Sequence, residues 1–132
     1  GREIFNNKGK CFDCHKGTDS TVDEFKNIGL FNDLDLSDRG RAEFTKDSAD
    51  VGKFKVPGLR NVAVTAPYMH NGMFKTLRDV IDYYNTPDRF VQGSLGTDTL
   101  IKPMNFNEQE MLDLEAFLNA LTDDRFVKTK QK

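Results

Sequence analysis

The segment Cys11-Phe12-Asp13-Cys14-His15 decides how this chain folds, because it has the spacing C-x-x-C-H. This spacing is typical of the covalent attachment of a c-type haem. Two thiols three positions apart lie on one turn of a helix, where each can add to a vinyl group at one edge of a porphyrin. The imidazole of the next residue then reaches the iron. The sequence therefore predicts thioether bonds from Cys11 and Cys14, with His15 as the proximal ligand.

Two other uses of a C-x-x-C pair are less compatible with this sequence. A structural zinc ion needs four ligands, so His15 and His70 would have to join the only two cysteines. A histidine directly after the second cysteine would strain the tetrahedron. A redox dithiol is expected beside a βαβ pattern, and the sequence shows none. Haem is therefore the favoured cofactor, with zinc or a dithiol as the alternatives.

Length and composition predict one small domain over residues 1–132. Only 37% of the residues are hydrophobic and the mean hydropathy is -0.61, so the apolar side chains alone would form a thin core. A buried macrocycle would complete that core, and we expect the chain without haem to fold poorly. The net charge of -2 and the isoelectric point near 5.7 argue against a nucleic-acid partner.

The hydropathy of the sequence indicates where the protein is located. No stretch approaches the roughly 20 apolar residues that a membrane-spanning helix requires. The first residues, Gly1-Arg2-Glu3, also lack the apolar run of a signal peptide. We therefore expect a mature protein or a fragment. Since haem is attached covalently on the outer side of the energy-transducing membrane, the expected location is the periplasm.

Two capping boxes mark the clearest helices. Thr76 is followed three residues later by Asp79, and Asn107 is followed in the same way by Glu110. A shorter helix is predicted over residues 2–8, and the likeness of the attachment site to c-type cytochromes implies that the final helix crosses it. The remaining long segments are predicted as loops or, at the end, as a polar tail: 17–36, 86–102 and 128–132. The predicted class is mainly α, with short helices and long loops.

A long segment in the middle of the chain resembles a known family. It runs from Phe54 to Gly72 with the sequence F-K-V-P-G-L-R-N-V-A-V-T-A-P-Y-M-H-N-G, followed by T-L at 76–77 and V-I at 80–81. The segment is similar to the C-terminal domain of diheme cytochrome c peroxidases and their MauG-type relatives. The resemblance extends from the first helix through residues 117–122. It implies a cytochrome c fold.

The same resemblance implies a division of work between two haem domains. In this family peroxide reacts at an N-terminal c-type haem domain, and a C-terminal domain passes electrons to it. This chain contains a single C-x-x-C-H and resembles the C-terminal domain. The resemblance therefore implies an electron-relay domain whose partner is an upstream haem domain or another redox protein. The alternative is a free-standing single-haem relative.

Two residues compete as the distal ligand of the iron. The apolar residues after Thr76 are spaced i, i+3, i+4 and i+7, which predicts that Tyr84 faces the core and Tyr83 does not. In the family, the residue at this distance from the T-x-P-Y-x-H motif supplies the distal ligand, so the resemblance favours Tyr84. Met104, in a loop before the last helix, is the alternative ligand, although a methionine there could equally fill a gap in the core. His70 is a weaker candidate.

Three further residues receive an assignment. Arg60 lies among apolar residues, and we expect it either to pair with a haem propionate or to form a surface salt bridge. The resemblance implies a calcium ion bound between the two domains, in part through the backbone carbonyls of Thr65 and Pro67. Without a partner domain this half-site would be weak.

The sequence leaves three classes of function open. Electron transfer by one haem with two axial protein ligands is favoured. A peroxidase in its own right would need an open distal position with an acid–base group nearby. A zinc-stabilised interaction module would contain no haem. A six-coordinate low-spin spectrum would favour the first class over the second, and any Soret band would exclude the third.

Overall fold

The computed structural model describes residues 1–127, so the polar tail predicted over 128–132 lies outside the described residues. The described chain forms short α-helices and one two-stranded antiparallel sheet, which agrees with the predicted class. The elements are α1 (Arg2–Asn6), α2 (Cys11–Cys14), β1 (Phe25–Lys26), α3 (Ala42–Thr45), β2 (Phe54–Lys55), α4 (Leu77–Asn85), α5 (Pro87–Phe90), α6 (Glu108–Asn119) and α7 (Asp124–Val127). The sequence pattern does not predict the sheet, because each strand contains only two residues.

Both predicted capping boxes are present at the starts of α4 and α6. The Thr76 hydroxyl accepts a hydrogen bond from the backbone N–H of Asp79 at 3.1 Å, and the Asp79 carboxylate accepts from the Thr76 N–H at 2.9 Å. Asn107 and Glu110 exchange the same two bonds, each at 2.9 Å. These bonds satisfy N–H groups that a helix leaves without partners in its first turn. The two helices therefore begin where the sequence predicts.

Removing one of these caps should have a measurable effect on stability. We expect Thr76→Ala to lower the free energy of unfolding by about 1 kcal/mol, because the Asp79 N–H loses its acceptor. Urea denaturation followed by circular dichroism measures this change. Thr99→Ala, in an exposed turn, is the matched control and should leave the midpoint unchanged. Equal midpoints for the two variants would mean that the cap contributes nothing.

One core cluster forms where α1 and α6 meet α4. Its buried members come from α1, α4, α6 and the loop before α6: Phe5, Leu77, Ile81, Phe106, Met111, Leu114 and Leu118. The rings of Phe5 and Phe117 lie 5.2 Å apart, so α1 and α6 pack together as predicted. The longest helix, α6, has 12 residues, and no helix within residues 1–127 is long and apolar enough to cross a membrane.

A second cluster lies on another side of α4 and corrects the prediction for Tyr83. The side chain of Tyr83 is 0% exposed, and its hydroxyl donates to the Ile28 carbonyl at 2.6 Å. It packs with Leu30, Phe74 and Val91. The prediction that Tyr83 lies outside the core was wrong because it assumed one buried face, whereas loop segments also cover a second side of α4. Tyr84 is half-buried beside this cluster.

Asn27 ties the long loops to one another. Its side chain is 2% exposed, and its Nδ2 donates to the carbonyls of Val51 at 3.2 Å and Leu95 at 2.9 Å. Its Oδ1 accepts from the N–H of Gly29 at 2.9 Å. Gly52 has a φ of +71°, and a Cβ at that position would lie 2.6 Å from Asn27 Nδ2. The close approach of the loops therefore requires glycine at position 52.

Candidate haem-binding site

The two cysteines lie on α2, which is a single helical turn. Before the helix, Lys10 adopts a left-handed conformation with a φ of 53°, and at its end the N–H of His15 donates to the Cys11 carbonyl at 2.8 Å. Both thiols are free. The turn therefore presents two thiols and the following imidazole from one short segment, which is the arrangement that the C-x-x-C-H spacing predicts.

The imidazole of His15 is oriented by two backbone carbonyls. Its Nδ1 lies 3.0 Å from the Pro57 oxygen and 3.1 Å from the Ser20 oxygen. Because both neighbours are acceptors, we assign the proton to Nδ1, and the lone pair of Nε2 remains available to a metal. Burial lowers the pKa of His15, although the two hydrogen bonds act in the opposite direction. The neutral form, which is the one that binds iron, is therefore favoured.

These two carbonyls are the part of the site that the sequence does not predict. Pro57 comes two residues after β2, and the pairing of β2 with β1 brings this segment next to the loop that follows α2. Every residue type has a backbone carbonyl, so the identities of Ser20 and Pro57 do not indicate that they contact His15. The only available indication is the position of Pro57 in the segment that resembles the peroxidase family.

The arrangement of possible ligands distinguishes haem from zinc. Within residues 1–127 no group of three or more His, Cys, Asp or Glu side chains is arranged to hold a metal ion, whereas a structural zinc site needs four ligands. Burial raises the pKa of Cys11 to about 12 and also raises the pKa of Cys14, so both are neutral thiols in this structure. A thioether forms by adding S–H across a vinyl double bond, with sulfur bonded to one carbon and hydrogen to the other. The two thiols therefore fit haem attachment better than a zinc site.

Apolar side chains surround the attachment turn. Half-buried residues pack with Cys11 against the core cluster of α1, α4 and α6: Ile4, Leu59, Val62, Tyr68 and Met104. Gly9 lets Phe106 come close to Cys11, because a Cβ at Gly9 would lie 3.1 Å from Cys11 Sγ and 3.2 Å from Phe106 Cζ. This half-buried apolar surface is the kind that a porphyrin can cover.

The two candidate distal ligands pack against different core clusters. Met104 packs against the same cluster as Cys11. Tyr84 is on α4 and is half-buried beside the cluster that contains Tyr83. Burial raises the pKa of Tyr84 well above its ordinary value, and the neighbouring Cys11 and Tyr83 add to this effect. The phenolate form of Tyr84 is therefore disfavoured by its protein surroundings.

Arg60 and His70 make contacts outside the attachment turn. Arg60 pairs with Asp19 at 2.9 Å, and the two side chains are 64% and 71% exposed. The ring of His70 stacks on Phe54 with a centroid distance of 3.7 Å and an interplanar angle of 9°. Burial lowers the pKa of His70, and Asp38 opposes this shift. In this structure Arg60 thus makes the surface salt bridge, one of the two roles expected from the sequence.

The calcium half-site inferred from the resemblance lies in an exposed turn. Thr65 and Pro67 are both exposed, and the peptide bond between Ala66 and Pro67 is cis. The Thr65 hydroxyl donates to the Val62 carbonyl at 3.0 Å. Calcium takes about six to eight oxygen ligands. Two carbonyls of this turn could therefore supply only part of a calcium site.

Sequence comparison finds relatives over nearly the whole chain. No protein-family model matches it. A cytochrome-c peroxidase of Denitromonas iodatirespirans is 35% identical over 150 residues, covering 92% of this chain and 39% of the relative. The methylamine utilization protein MauG of Methylorubrum extorquens is 35% identical over 126 residues, covering 92% of this chain and 33% of the relative. The chain thus spans about two fifths or less of these curated relatives.

Solved structures give the same result for the fold. A MauG-like protein associated with microbial copper homeostasis superposes with a TM-score of 0.82 at 34% identity, covering 92% of this chain and 45% of that one. The diheme peroxidase BthA from Burkholderia thailandensis gives a TM-score of 0.75 at 26% identity, covering 96% of this chain and 42% of that one. The fold is therefore cytochrome c-like, as the resemblance implied.

Proposed function

Because this chain is a haem domain of the cytochrome c peroxidase and MauG family, we propose that residues 1–132 form a single domain that relays electrons through one covalently bound haem c. When bound, the haem supplies a one-electron ferric/ferrous couple. The observation that carries the proposal is the geometry of α2 and His15. Cys11 and Cys14 present thiols from one turn, and Nε2 of His15 is left available by the hydrogen bonds at Nδ1.

Different residues have different roles in holding the haem. Cys11 and Cys14 form the two thioethers, and His15 is the proximal ligand. The carbonyls of Pro57 and Ser20 fix the ring of His15 and increase the basicity of Nε2. With its ring held by these two carbonyls, His15 would keep the same orientation in both oxidation states of the haem, which favours electron transfer.

For the distal ligand we propose Tyr84, with Met104 as the second candidate. The resemblance assigns the distal ligand to this position after the T-x-P-Y-x-H motif, and Tyr84 is half-buried on α4 beside the second core cluster. Ferric iron would lower the pKa of a bound phenol, so the raised pKa of the free side chain does not decide against Tyr84. Met104 packs against the cluster that has Cys11 as a neighbour and would bind through its thioether.

An electron relay is better supported than peroxide reduction at this haem. Peroxide reduction needs an open distal position and an acid–base group beside it. His70, the one spare imidazole, stacks on Phe54 in β2. A relay needs only two axial ligands and a haem edge near its partner. The proposed partner is another haem domain or a redox protein, since the relatives extend well beyond the region matched here.

Three finer assignments complete the proposal. Arg60 would bind a haem propionate by exchanging its exposed partner Asp19 for the propionate carboxylate. Thr65 and Pro67 would contribute carbonyl oxygens to calcium, with the remaining ligands supplied by water or by a partner domain. The location that suits covalent haem attachment is the periplasm.

Mass spectrometry of protein made in cells that attach c-type haem tests the central proposal. The wild-type mass should exceed that of the polypeptide by one haem, and the denatured protein should retain its colour. Cys11→Ala combined with Cys14→Ala should remove both properties, because no thiol remains to form a thioether. His70→Ala is the control and should keep the full mass increase. Covalent haem in the double variant, or bound zinc in place of haem in the wild type, would contradict the proposal.

A further inference from the structure

The hydroxyl of Thr21 connects the two chain segments that hold the imidazole of His15. Its Oγ1 donates a hydrogen bond to the Val56 carbonyl at 2.7 Å. The residue before Thr21, Ser20, supplies one of the two carbonyls at Nδ1 of His15, and the residue after Val56, Pro57, supplies the other. The bond from Thr21 therefore lies directly beside both points at which the backbone contacts the ring.

The peptide bond between Val56 and Pro57 offers only one polar group by which it can be held. Proline has no N–H, so the Val56 carbonyl is the single hydrogen-bonding group of this peptide. Val56 is 6% exposed, and its own N–H already donates to the Glu24 carbonyl at 2.8 Å. Because the proline ring also fixes φ, the direction of the Pro57 carbonyl depends on how the preceding peptide is oriented. Thr21 fixes that orientation.

A second donor to the Val56 carbonyl is longer and more exposed. Nζ of Lys55 lies 3.3 Å from this oxygen, and it pairs with the exposed carboxylate of Asp23 at 2.7 Å. Thr21 is half-buried, and its Oγ1 also accepts from the N–H of Asp23 at 3.1 Å, which restrains its rotamer. The Thr21 hydroxyl is therefore the stronger restraint on the Val56 carbonyl. The sequence alone does not reveal this contact, since Thr21 and Val56 are 35 positions apart.

We propose that Thr21 is a positioning residue for the proximal side of the haem, because its bond to Val56 keeps the carbonyls of Pro57 and Ser20 at Nδ1 of His15. The inference rests on the proposed function, in which His15 is the proximal ligand, and it holds for either distal ligand. Acceptors at Nδ1–H make Nε2 a more basic ligand. A more basic ligand stabilises ferric iron more than ferrous iron, so Thr21 lowers the reduction potential of the haem.

The reduction potential of the holo-protein tests the inference. Thr21→Val keeps the branched shape of the side chain but removes the hydroxyl, so the Pro57 carbonyl should spend less time at His15. Because one modest hydrogen bond is lost, the ferric/ferrous equilibrium should move about threefold towards the ferrous form, a rise of roughly 30 mV. Thr21→Ala should give the same shift. Thr21→Ser keeps the hydroxyl and should restore the wild-type potential. A redox titration with mediators measures all three variants.

Thr45→Val is the matched control, because the Thr45 hydroxyl makes the same kind of contacts away from the haem site. It donates to the Arg41 carbonyl at 3.4 Å and accepts from the Asp47 N–H at 3.3 Å. Its potential should equal that of wild type. Wild-type potentials in Thr21→Val and Thr21→Ala that retain covalent haem, or a Thr21→Ser potential that matches Thr21→Val, would overturn the role of the hydroxyl and leave the proposed function standing. Absence of covalent haem from wild type would overturn the proposed function itself.

Discussion

Holo-protein carrying Tyr84→Phe should change from a low-spin to a high-spin ferric spectrum, because it loses only the hydroxyl that would bind the iron, and its reduction potential should rise. A phenolate is a hard, anionic donor that favours ferric iron, so its removal favours the ferrous form. The expected increase is on the order of 100 mV, well inside the roughly 0.8 V range over which axial ligands set haem potentials. Absorption spectroscopy and a redox titration with mediators measure the two changes.

Met104→Ala is the matched variant for this experiment, because it removes the thioether of the competing candidate. With Tyr84 as the ligand, wild type should lack the weak near-infrared sulfur-to-iron band of a bound thioether, and Met104→Ala should stay low-spin. The opposite pattern would establish Met104: a wild type with the band, which Met104→Ala loses and Tyr84→Phe keeps. The pair of variants therefore decides between the two ligands, whichever is correct.

Features that depend on neighbouring residues could be predicted from the sequence. The attachment turn lies within five consecutive residues, so the relative placement of Cys11, Cys14 and His15 follows from helix geometry. The capping boxes at Thr76 and Asn107 each span four residues, and both are present. Local hydrogen bonds and helical spacing determine these features, and a sequence displays both directly.

Features that depend on distant segments could not be predicted in this way. The carbonyl of Pro57 reaches His15 across 42 positions, through the pairing of two very short strands. Tyr83 is buried because loop segments around Leu30 and Val91 cover a side of α4 that helical spacing treats as exposed. In both cases the contact depends on the tertiary structure, and the residue types alone do not predict it.

The distal ligand illustrates the same limit inside the candidate site. Helical spacing predicts that Tyr84 faces the core, and the resemblance implies that it is the ligand, whereas Met104 is in an irregular loop whose path no periodic pattern describes. That path depends on the restricted backbone at Pro103 and on the contacts of Asn85 with Phe106. A loop held by side-chain to backbone hydrogen bonds is recognised only when the two partners are seen together.

The long loops themselves depend on Asn27, whose side chain makes hydrogen bonds within its own segment and to two other segments. Its side-chain amide donates to the carbonyls of Val51 and Leu95 and accepts from the N–H of Gly29. Its own backbone carbonyl accepts a further bond from the N–H of Asp98 at 2.8 Å. Buried polar groups that lose their partners are costly, since water cannot replace the lost hydrogen bond. Stability of the loop region should therefore be sensitive to this one side chain.

Replacing Asn27 by leucine should lower the free energy of unfolding by about 2–4 kcal/mol, a large part of the roughly 5–15 kcal/mol that stabilises a domain. Leucine nearly matches asparagine in size but leaves the three backbone partners unsatisfied. Urea denaturation of the holo-protein, followed by circular dichroism, measures the loss. Asn119→Leu, at an exposed position of α6, is the control and should change stability little. A loss below about 1 kcal/mol for Asn27→Leu would mean that water reaches these groups and that the loops are held by their apolar contacts instead.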